Sequence, residues 1–187
     1  SEDSSEDSSE DSSEDSSEDS SDESGYSDWE DEFPFEKNLM DMSEEYKFIE
    51  RISTNDGVVV YKAYSKKLKK MAIIKILDEK VESSKPKIVC ILDICLPCPY
   101  LPNIIGWHDL KATECLAVAT EFIDDAVDVD KYCMGDMTKV QKVVYQTALA
   151  VKHLHTNNII HRDIKPGNIL FNGNRTILID YDLSTFY

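Results

Sequence analysis

Four polar side chains in the C-terminal quarter of the chain are of the types that phosphoryl transfer requires. Asp163, Lys165 and Asn168 lie in one short segment, and Asp180 follows downstream. A moving phosphoryl group spreads negative charge over its oxygens, so its transfer depends on positioned cations more than on covalent chemistry. A carboxylate can accept a hydroxyl proton, an ammonium can neutralise phosphate, and carboxylate or amide oxygens suit Mg²⁺. The segment therefore predicts magnesium-dependent phosphoryl transfer.

Short runs of β-forming residues follow the first three of these side chains. Residues 169–171 and 176–179 are apolar or β-branched, and Asn-Gly-Asn at 172–174 separates them. An Asn-Gly pair between two such runs is typical of a β-hairpin. We expect this hairpin to hold Asn168 and Asp180 close together.

The tripeptide His-Arg-Asp that ends at Asp163, with Lys165 and Asn168 after it, resembles the catalytic loop of eukaryotic protein kinases. The lysine resembles the serine/threonine branch of that family rather than the tyrosine branch. The resemblance implies that Asp163 orients the substrate hydroxyl and that Lys165 binds the transferred phosphate. It also implies that Asn168 and Asp180 hold Mg²⁺ beside the nucleotide.

A single lysine lies inside the apolar run at residues 71–77. Burying a lysine is costly unless it is paired, and the alternative is an edge-strand lysine that faces water. The run resembles the kinase Val-Ala-Ile-Lys strand, so Lys75 is expected to hold the α and β phosphates of ATP. In that family a glutamate of the next helix pairs with this lysine, and here the best-matching position is Lys87. Candidate substitutes for the glutamate are Glu79, Glu82 and Asp93, and the helix is expected within residues 83–94.

Residues 48–63 resemble the two strands that flank the nucleotide-covering glycine loop of kinases. Other residues stand at the three glycine positions of the family: Ser53, Asn55 and Val58. Glycine matters there because the backbone must approach phosphate without a Cβ in the way, and here only Gly57 is nearby. The resemblance places Ile52 and Val60 against the nucleotide. It also makes residues 115–123 the hinge strand, with the backbone of Glu121 and Ile123 facing adenine.

Apolar residues recur at helical spacing over residues 138–155, where Thr138 and Gln141 have the form of a capping box. This helix is expected to begin a helical lobe. The metal-binding tripeptide of kinases is Asp-Phe-Gly, but residues 180–182 read Asp-Tyr-Asp, and the chain stops soon after. A complete kinase would continue for a further helical lobe, so we expect a fragment or a truncated product.

Composition separates an acidic tail from the rest of the chain. Residues 1–32 carry 16 acidic and no basic side chains, whereas the remaining 155 residues carry 21 acidic and 20 basic ones. Residues 1–24 are six tetrapeptides of serine with acidic residues. Such a polar, self-repelling repeat has no apolar face to bury, so we predict disorder over residues 1–45. The flanking acids make these serines candidate sites for an acidophilic kinase, and a solvated tail is the simpler interpretation.

The predicted fold is α+β and protein-kinase-like, with an antiparallel-sheet N-lobe over residues 46–123 and the beginning of a helical C-lobe over residues 124–187. No apolar run reaches the length of a signal peptide or membrane span. The cysteine count is odd, at five, which favours a reducing compartment over a disulfide framework. We therefore expect a protein of the cytoplasm or nucleus that binds neither membrane nor nucleic acid.

Three functions remain open from the sequence. The first is ATP- and Mg²⁺-dependent phosphorylation of serine or threonine hydroxyls on protein substrates. The second is a pseudokinase that binds partners, which the missing glycines and the carboxylate of Asp182 favour. The third is a kinase-like phosphotransferase of small molecules, because the Pro-Gly-Asn at 166–168 also resembles those enzymes. The sequence does not identify the protein substrate or the residue that replaces the helix glutamate.

Overall fold

The computed structural model describes residues 36–55, 57–81, 85–95 and 97–187, with side chains from residue 39 onward. The acidic repeat and Glu82 lie outside the described residues, so the disorder expected for the repeat stays a prediction. Helix α1 (Glu36–Met42) falls inside the range 1–45 assigned to the tail, and its Met42 is buried. Regular structure therefore begins before residue 46.

A five-stranded antiparallel sheet forms the N-terminal part of the kinase-like region, as predicted. Its strands are β1 (Tyr46–Asn55), β2 (Val58–Ser65), β3 (Lys70–Leu77), β4 (Ile104–Leu110) and β5 (Cys115–Glu121). They lie in the order β1-β2-β3-β5-β4, which places β3 at the centre. Along β2 the side chains alternate between buried and half-buried, the period-two pattern of a strand with one face on the core.

The β1–β2 connection is a tight hairpin. Asn55 pairs with Val58 across the turn, and Gly57 adopts a φ of +72°. Glycine reaches that region without a steric penalty, which explains why this glycine is present. The carbonyl of Gly57 accepts a hydrogen bond from the backbone N–H of Asp78 at 2.7 Å. Gly57, the one glycine of this segment, is therefore required by the positive φ of the turn.

Helix α2 (Lys87–Cys95) contributes an almost wholly apolar face to the core. It begins directly after Pro86, whose carbonyl accepts from the N–H of Cys90 at 3.0 Å. The residues that this helix buries are Ile88, Val89, Ile91, Leu92 and Cys95. Its one acidic residue is Asp93, which is exposed and forms an ion pair with Lys85. The side of α2 that faces the protein therefore carries no carboxylate.

The chain after β5 consists mainly of short strands and one long helix. Its elements are β6 (Val127–Asp128), α3 (Val129–Cys133), α4 (Met137–Thr156), β7 (Ile159–Ile160), a 3-10 turn (Pro166–Asn168), β8 (Ile169–Phe171), β9 (Thr176–Leu178) and β10 (Thr185–Phe186). Strands β6, β8 and β9 form one small sheet, and β7 pairs with β10. The predicted hairpin is confirmed, because Ile169 pairs with Leu178 across a turn in which Gly173 has a φ of +84°.

The cap of α4 differs from the predicted capping box. The helix begins at Met137, and its N-cap is Asp136, whose carboxylate accepts from the N–H groups of Thr138 and Lys139. Aspartate is an effective cap because its oxygen satisfies N–H groups that the helix leaves unpaired, and its charge suits the helix N-terminus. Thr138 therefore lies inside the helix. Within the described residues, no helix combines the length and apolar character needed to cross a membrane.

Two buried polar side chains fasten the segments after α4 to each other. The Nε2–H of His161 donates to the carbonyl of Ile179 at 3.1 Å, and its Nδ1 accepts from the N–H of Asp163 at 3.3 Å. The hydroxyl of Ser184 donates to the carbonyl of His161 at 3.1 Å. This pattern requires the neutral ring with its proton on Nε2. Burial lowers the pKa of His161, which keeps the ring neutral near pH 7.

We expect Leu154→Ala to lower the free energy of unfolding by roughly 2–5 kcal/mol, because Leu154 of α4 is fully buried and truncation leaves a cavity. Val144→Ala on the same helix is the matched control, since Val144 is 61% exposed and its loss should cost about 0.5 kcal/mol or less. Urea unfolding of both variants measures the difference. Equal losses would contradict the assigned core face of α4.

We also expect acid to weaken the fold through His161. Its pKa in the folded chain lies below the ordinary 6.5, so the unfolded chain binds a proton that the folded chain resists. The free energy of unfolding should therefore fall as the pH drops through 6.5. His161→Gln should remove that part of the fall, whereas His155→Gln, at an exposed position, should retain it. Urea titrations between pH 5 and pH 8 test this, and identical slopes for both variants would contradict it.

Candidate functional site

Lys75 lies at the middle of the central strand β3 and reaches across to the C-terminal segment. It stands opposite Val60 on β2 and Val118 on β5, so the three side chains share one face of the sheet. Its Nζ lies 2.9 Å from Oδ1 of Asp180 and 2.5 Å from Oδ2 of Asp182. The edge-strand alternative for this lysine is therefore wrong, because β3 has neighbours on both sides.

The carboxylate partners of Lys75 differ from the candidates that the sequence suggests. Asp93 binds Lys85 at the surface, and Glu79 and Lys87 are exposed. The partner that the sequence analysis did not identify is Asp182. The sequence did contain an indication of this partner, because residue 182 is an aspartate where the kinase tripeptide ends in glycine. Spacing along the chain could not reveal that this carboxylate reaches back to the sheet.

The predicted catalytic loop is a compact hydrogen-bonded cluster. Oδ2 of Asp163 accepts from Nζ of Lys165 at 2.7 Å and from Nδ2 of Asn168 at 2.7 Å. The same Nδ2 donates to the backbone carbonyl of Asp163 at 2.9 Å. The bond from Lys165 is the main reason why the pKa of Asp163 is lowered, and it raises the pKa of Lys165 in turn. Asp163 is therefore an ionised, oriented proton acceptor at neutral pH.

Asn168 and Asp180 are held in the arrangement that the β8–β9 hairpin predicted. The carbonyl of Asn168 accepts from the N–H of Ile179 at 2.9 Å, which fixes the backbone next to Asp180. The charge of Asp180 acts on both His161 and Lys165, raising the pKa of each as a minor cause. The Lys75 cluster and the Asp163 cluster are therefore linked through the backbone bond between Asn168 and Ile179, the residue before Asp180.

The donor set of this cluster suits magnesium bound together with a phosphate ligand. Asn168 is buried, and because its Nδ2 is committed to Asp163, its Oδ1 is the end that can face a cation. Asp180 supplies a carboxylate. In the described part of the chain, no group of three or more His, Cys, Asp or Glu side chains could hold a metal alone. Magnesium commonly takes one or two protein oxygens and completes its shell with phosphate and water.

The tripeptide at 180–182 is anchored by its central residue. Tyr181 is buried, and its hydroxyl donates to the carbonyl of Leu178 at 3.0 Å. Burial raises the pKa of Tyr181 well above its ordinary value, so the hydroxyl remains a donor. Asp180 adopts a φ of +68°, a conformation that L side chains rarely take and that structures retain mainly at functional sites. The two carboxylates therefore project from a fixed backbone.

Asp182 is a carboxylate in an unfavourable environment that Lys75 offsets. Burial is the largest cause that raises the pKa of Asp182, and the neighbouring Asp180 carboxylate raises it further. The hydrogen bond and charge of Lys75 act in the opposite direction. Oδ1 of Asp182 is buried without a hydrogen-bond partner among the described residues. The ion pair with Lys75 is therefore the main contact that compensates its burial.

The remaining predicted nucleotide contacts lie on other segments. The N–H of Glu121 donates to the carbonyl of Asn103 at 2.9 Å, so that group is committed within the protein. The side chain of Glu121 also binds Asn103. Ile123 follows the end of β5, and Ile52 is half exposed at an irregular position of β1. Among the described residues, no hydrogen bond or ion pair joins Glu121, Ile123 or Ile52 to the Lys75 cluster, so their nucleotide roles stay predictions.

Comparison with known proteins agrees with this geometry. The model of the protein kinase domain family matches residues 46–187. A protein of Acanthamoeba polyphaga mimivirus that is named as a serine/threonine-protein kinase is 37% identical over 125 residues, which cover 60% of this chain and 44% of the viral protein.

A solved structure shares the fold. The autoinhibited serine kinase domain of the giant muscle protein titin superposes with a TM-score of 0.66 at 21% identity, over 78% of this chain and 47% of the titin chain. The chain therefore spans less than half the length of each of these two proteins. The sheet of five strands, the cluster at Asp180 and the family match over residues 46–187 lead to one conclusion: this chain belongs to the protein kinase family.

Proposed function

We propose that this chain is part of a serine/threonine protein kinase that transfers the γ-phosphoryl group of ATP to hydroxyls of protein substrates. Residues 46–123 would form the sheet lobe and residues 124–187 the start of the helical lobe. The observation that supports this most strongly is that Lys75 pairs with Asp180, while Asn168 holds both Asp163 and the backbone of the residue before Asp180. Lys75 comes from the sheet, 105 residues before Asp180 in the chain.

Each side chain of the two clusters has a definite task in this reaction. Asp163 is ionised and held by two donors, so it can orient the attacking hydroxyl and accept its proton. Lys165 stands beside it and can neutralise charge on the phosphoryl group. Lys75 can donate to the α and β phosphates. Asn168 and Asp180 would hold Mg²⁺, which when bound shields phosphate charge.

The lysine at 165 and the similarity to a protein named as a serine/threonine kinase support the substrate class. The substrate is accordingly a serine or threonine hydroxyl on a protein. The serines of the acidic repeat at residues 1–24 would be substrates of an acidophilic kinase. The proposal includes a location in the cytoplasm or nucleus, with ATP and Mg²⁺ as cofactors.

The tight β1–β2 hairpin favours a second candidate, a pseudokinase that binds partners. Ser53 and Asn55 both pair within the β1–β2 ladder, and Gly57 serves the turn. Side chains at these positions restrict how closely the backbone can approach phosphates. Against this candidate, the chain retains all four of Asp163, Lys165, Asn168 and Asp180, and hydrogen bonds or ion pairs hold each of them.

Asp163→Asn in the full-length protein should lower kcat by roughly 10²–10⁴-fold, because the amide cannot accept the hydroxyl proton. Asp109→Asn, at an exposed carboxylate on β4, is the matched control and should leave kcat unchanged. The assay follows labelled γ-phosphate from ATP to serine, threonine and tyrosine peptides, with analysis of the phosphorylated amino acid. An unchanged kcat in the Asp163 variant would show that Asp163 does not accept the hydroxyl proton.

Asp180→Asn should abolish magnesium-dependent transfer while leaving the urea unfolding midpoint close to that of the wild type, since Asp182 still pairs with Lys75. Removing Mg²⁺ with a chelator should have the same effect on the wild-type protein. Label on serine or threonine supports the proposal, and label confined to tyrosine contradicts the substrate class. Tight binding of ATP with magnesium but no transfer to any peptide would instead establish the pseudokinase.

A further inference from the structure

Lys75 needs an anionic anchor, and helix α2 does not provide one. A long, flexible lysine side chain loses rotamer entropy when it is held in place, so a positioned lysine requires a fixed partner. The face of α2 that packs on the core is apolar, and its Asp93 is engaged by Lys85 at the surface. Asp180 and Asp182 are the carboxylates that reach Lys75 within the described residues.

The proposed site contains two cations, Mg²⁺ and the ammonium of Lys75, and each can have its own carboxylate. In the proposed reaction Asp180 would also bind Mg²⁺, and the divalent charge would compete with the ammonium of Lys75 for that carboxylate. Without a second anion, metal binding at Asp180 would weaken the hold on Lys75. Asp182 lies 2.5 Å from Nζ of Lys75 and supplies that second anion. The pairing leaves Lys75 fixed while Asp180 serves the metal.

The backbone on both sides of Asp182 is secured. Tyr181 is buried on one side, and Ser184 is fully buried on the other. The N–H of Ser184 donates to the carbonyl of Tyr181 at 3.0 Å, and its hydroxyl donates to His161. A turn closed in this way holds the carboxylate of Asp182 in one place. Asp182 therefore meets the requirement of a rigid anchor that a surface carboxylate lacks.

We propose that Asp182 is the positioning residue for Lys75, in the role that a helix glutamate has in related kinases. The inference rests on the proposed function, because it assigns Lys75 to the phosphates of ATP. A lysine ammonium has three protons, of which two point to Asp180 and Asp182. The third is available to a phosphate oxygen. Asp182 acts through Lys75 and touches neither substrate nor metal.

The first test compares Asp182→Asn with Asp93→Asn in the full-length protein. Asparagine keeps the size of the side chain and removes its charge, and Asp93 is the control because it also pairs with a lysine but away from Lys75. Calorimetric titration with ATP in excess Mg²⁺ should show a dissociation constant about tenfold higher for Asp182→Asn. The control should bind as the wild type does. Urea unfolding of both variants checks that they fold.

A double-mutant cycle with Lys75→Met separates positioning from a general structural role. If Asp182 acts through Lys75, then Asp182→Asn should change ATP affinity little once Lys75 is methionine. Asp182→Glu should restore part of the affinity, because it keeps the charge. Asp182→Gly, which restores the residue of related kinases, should weaken ATP binding as Asn does. If the Asp182→Asn variant does not fold, the Asp182→Gly variant still tests whether ATP binding depends on the carboxylate.

Three results would overturn the proposal. The first is an unchanged ATP affinity in Asp182→Asn. The second is tighter ATP binding by Asp182→Asn, which would show that Asp182 obstructs the phosphates. The third is a loss of ATP affinity on Asp182→Asn that is as large in the Lys75→Met background as in the wild type. Failure of the proposed function gives a different pattern, since the wild-type protein itself would then bind no ATP in the presence of Mg²⁺. The wild-type titration therefore distinguishes the two failures before any variant is compared.

Discussion

The ion-pair cluster of Lys75 with Asp180 and Asp182 is the interaction on which the rest of the site depends. It joins the central strand of the sheet to a segment 105 residues later in the chain. The lysine is held in a strand with neighbours on both sides, and the carboxylates extend from a backbone fixed by Tyr181. Because both ends are rigid, the cluster sets the relative position of the sheet and the catalytic loop.

This cluster has an energetic cost that the surrounding structure offsets. Two carboxylates share one lysine, and burial raises the pKa of Asp182, whereas the hydrogen bond and charge of Lys75 lower it. The neutral ring of His161 and the hydroxyl of Ser184 connect the strands beneath the cluster without adding charge. Removing Lys75 would leave both carboxylates without their shared cation, so the lysine is the partner on which the cluster depends.

Much of this arrangement could be predicted from local sequence. The strand around Lys75, the hairpin over residues 169–178 and the catalytic-loop segment have strong patterns, and the structure contains all three. The start of α4 was predicted at Thr138, but the helix uses Asp136, since two nearby residues can both cap and local pattern does not choose between them. The pairing of Asp182 with Lys75 required tertiary geometry, because no spacing rule links positions so far apart. The backbone bond from Glu121 to Asn103 was missed for the same reason.

The central claim is that the residues around Asp180 form a magnesium-dependent nucleotide site. Thermal unfolding of the protein with ATP, with and without Mg²⁺, tests it most directly, since a ligand that binds the folded state alone raises the unfolding temperature. We expect a rise with ATP and Mg²⁺ together that is far smaller with either alone and is lost in Asp180→Asn. An equal rise with and without Mg²⁺, or no rise in a well-folded wild-type protein, would contradict the account.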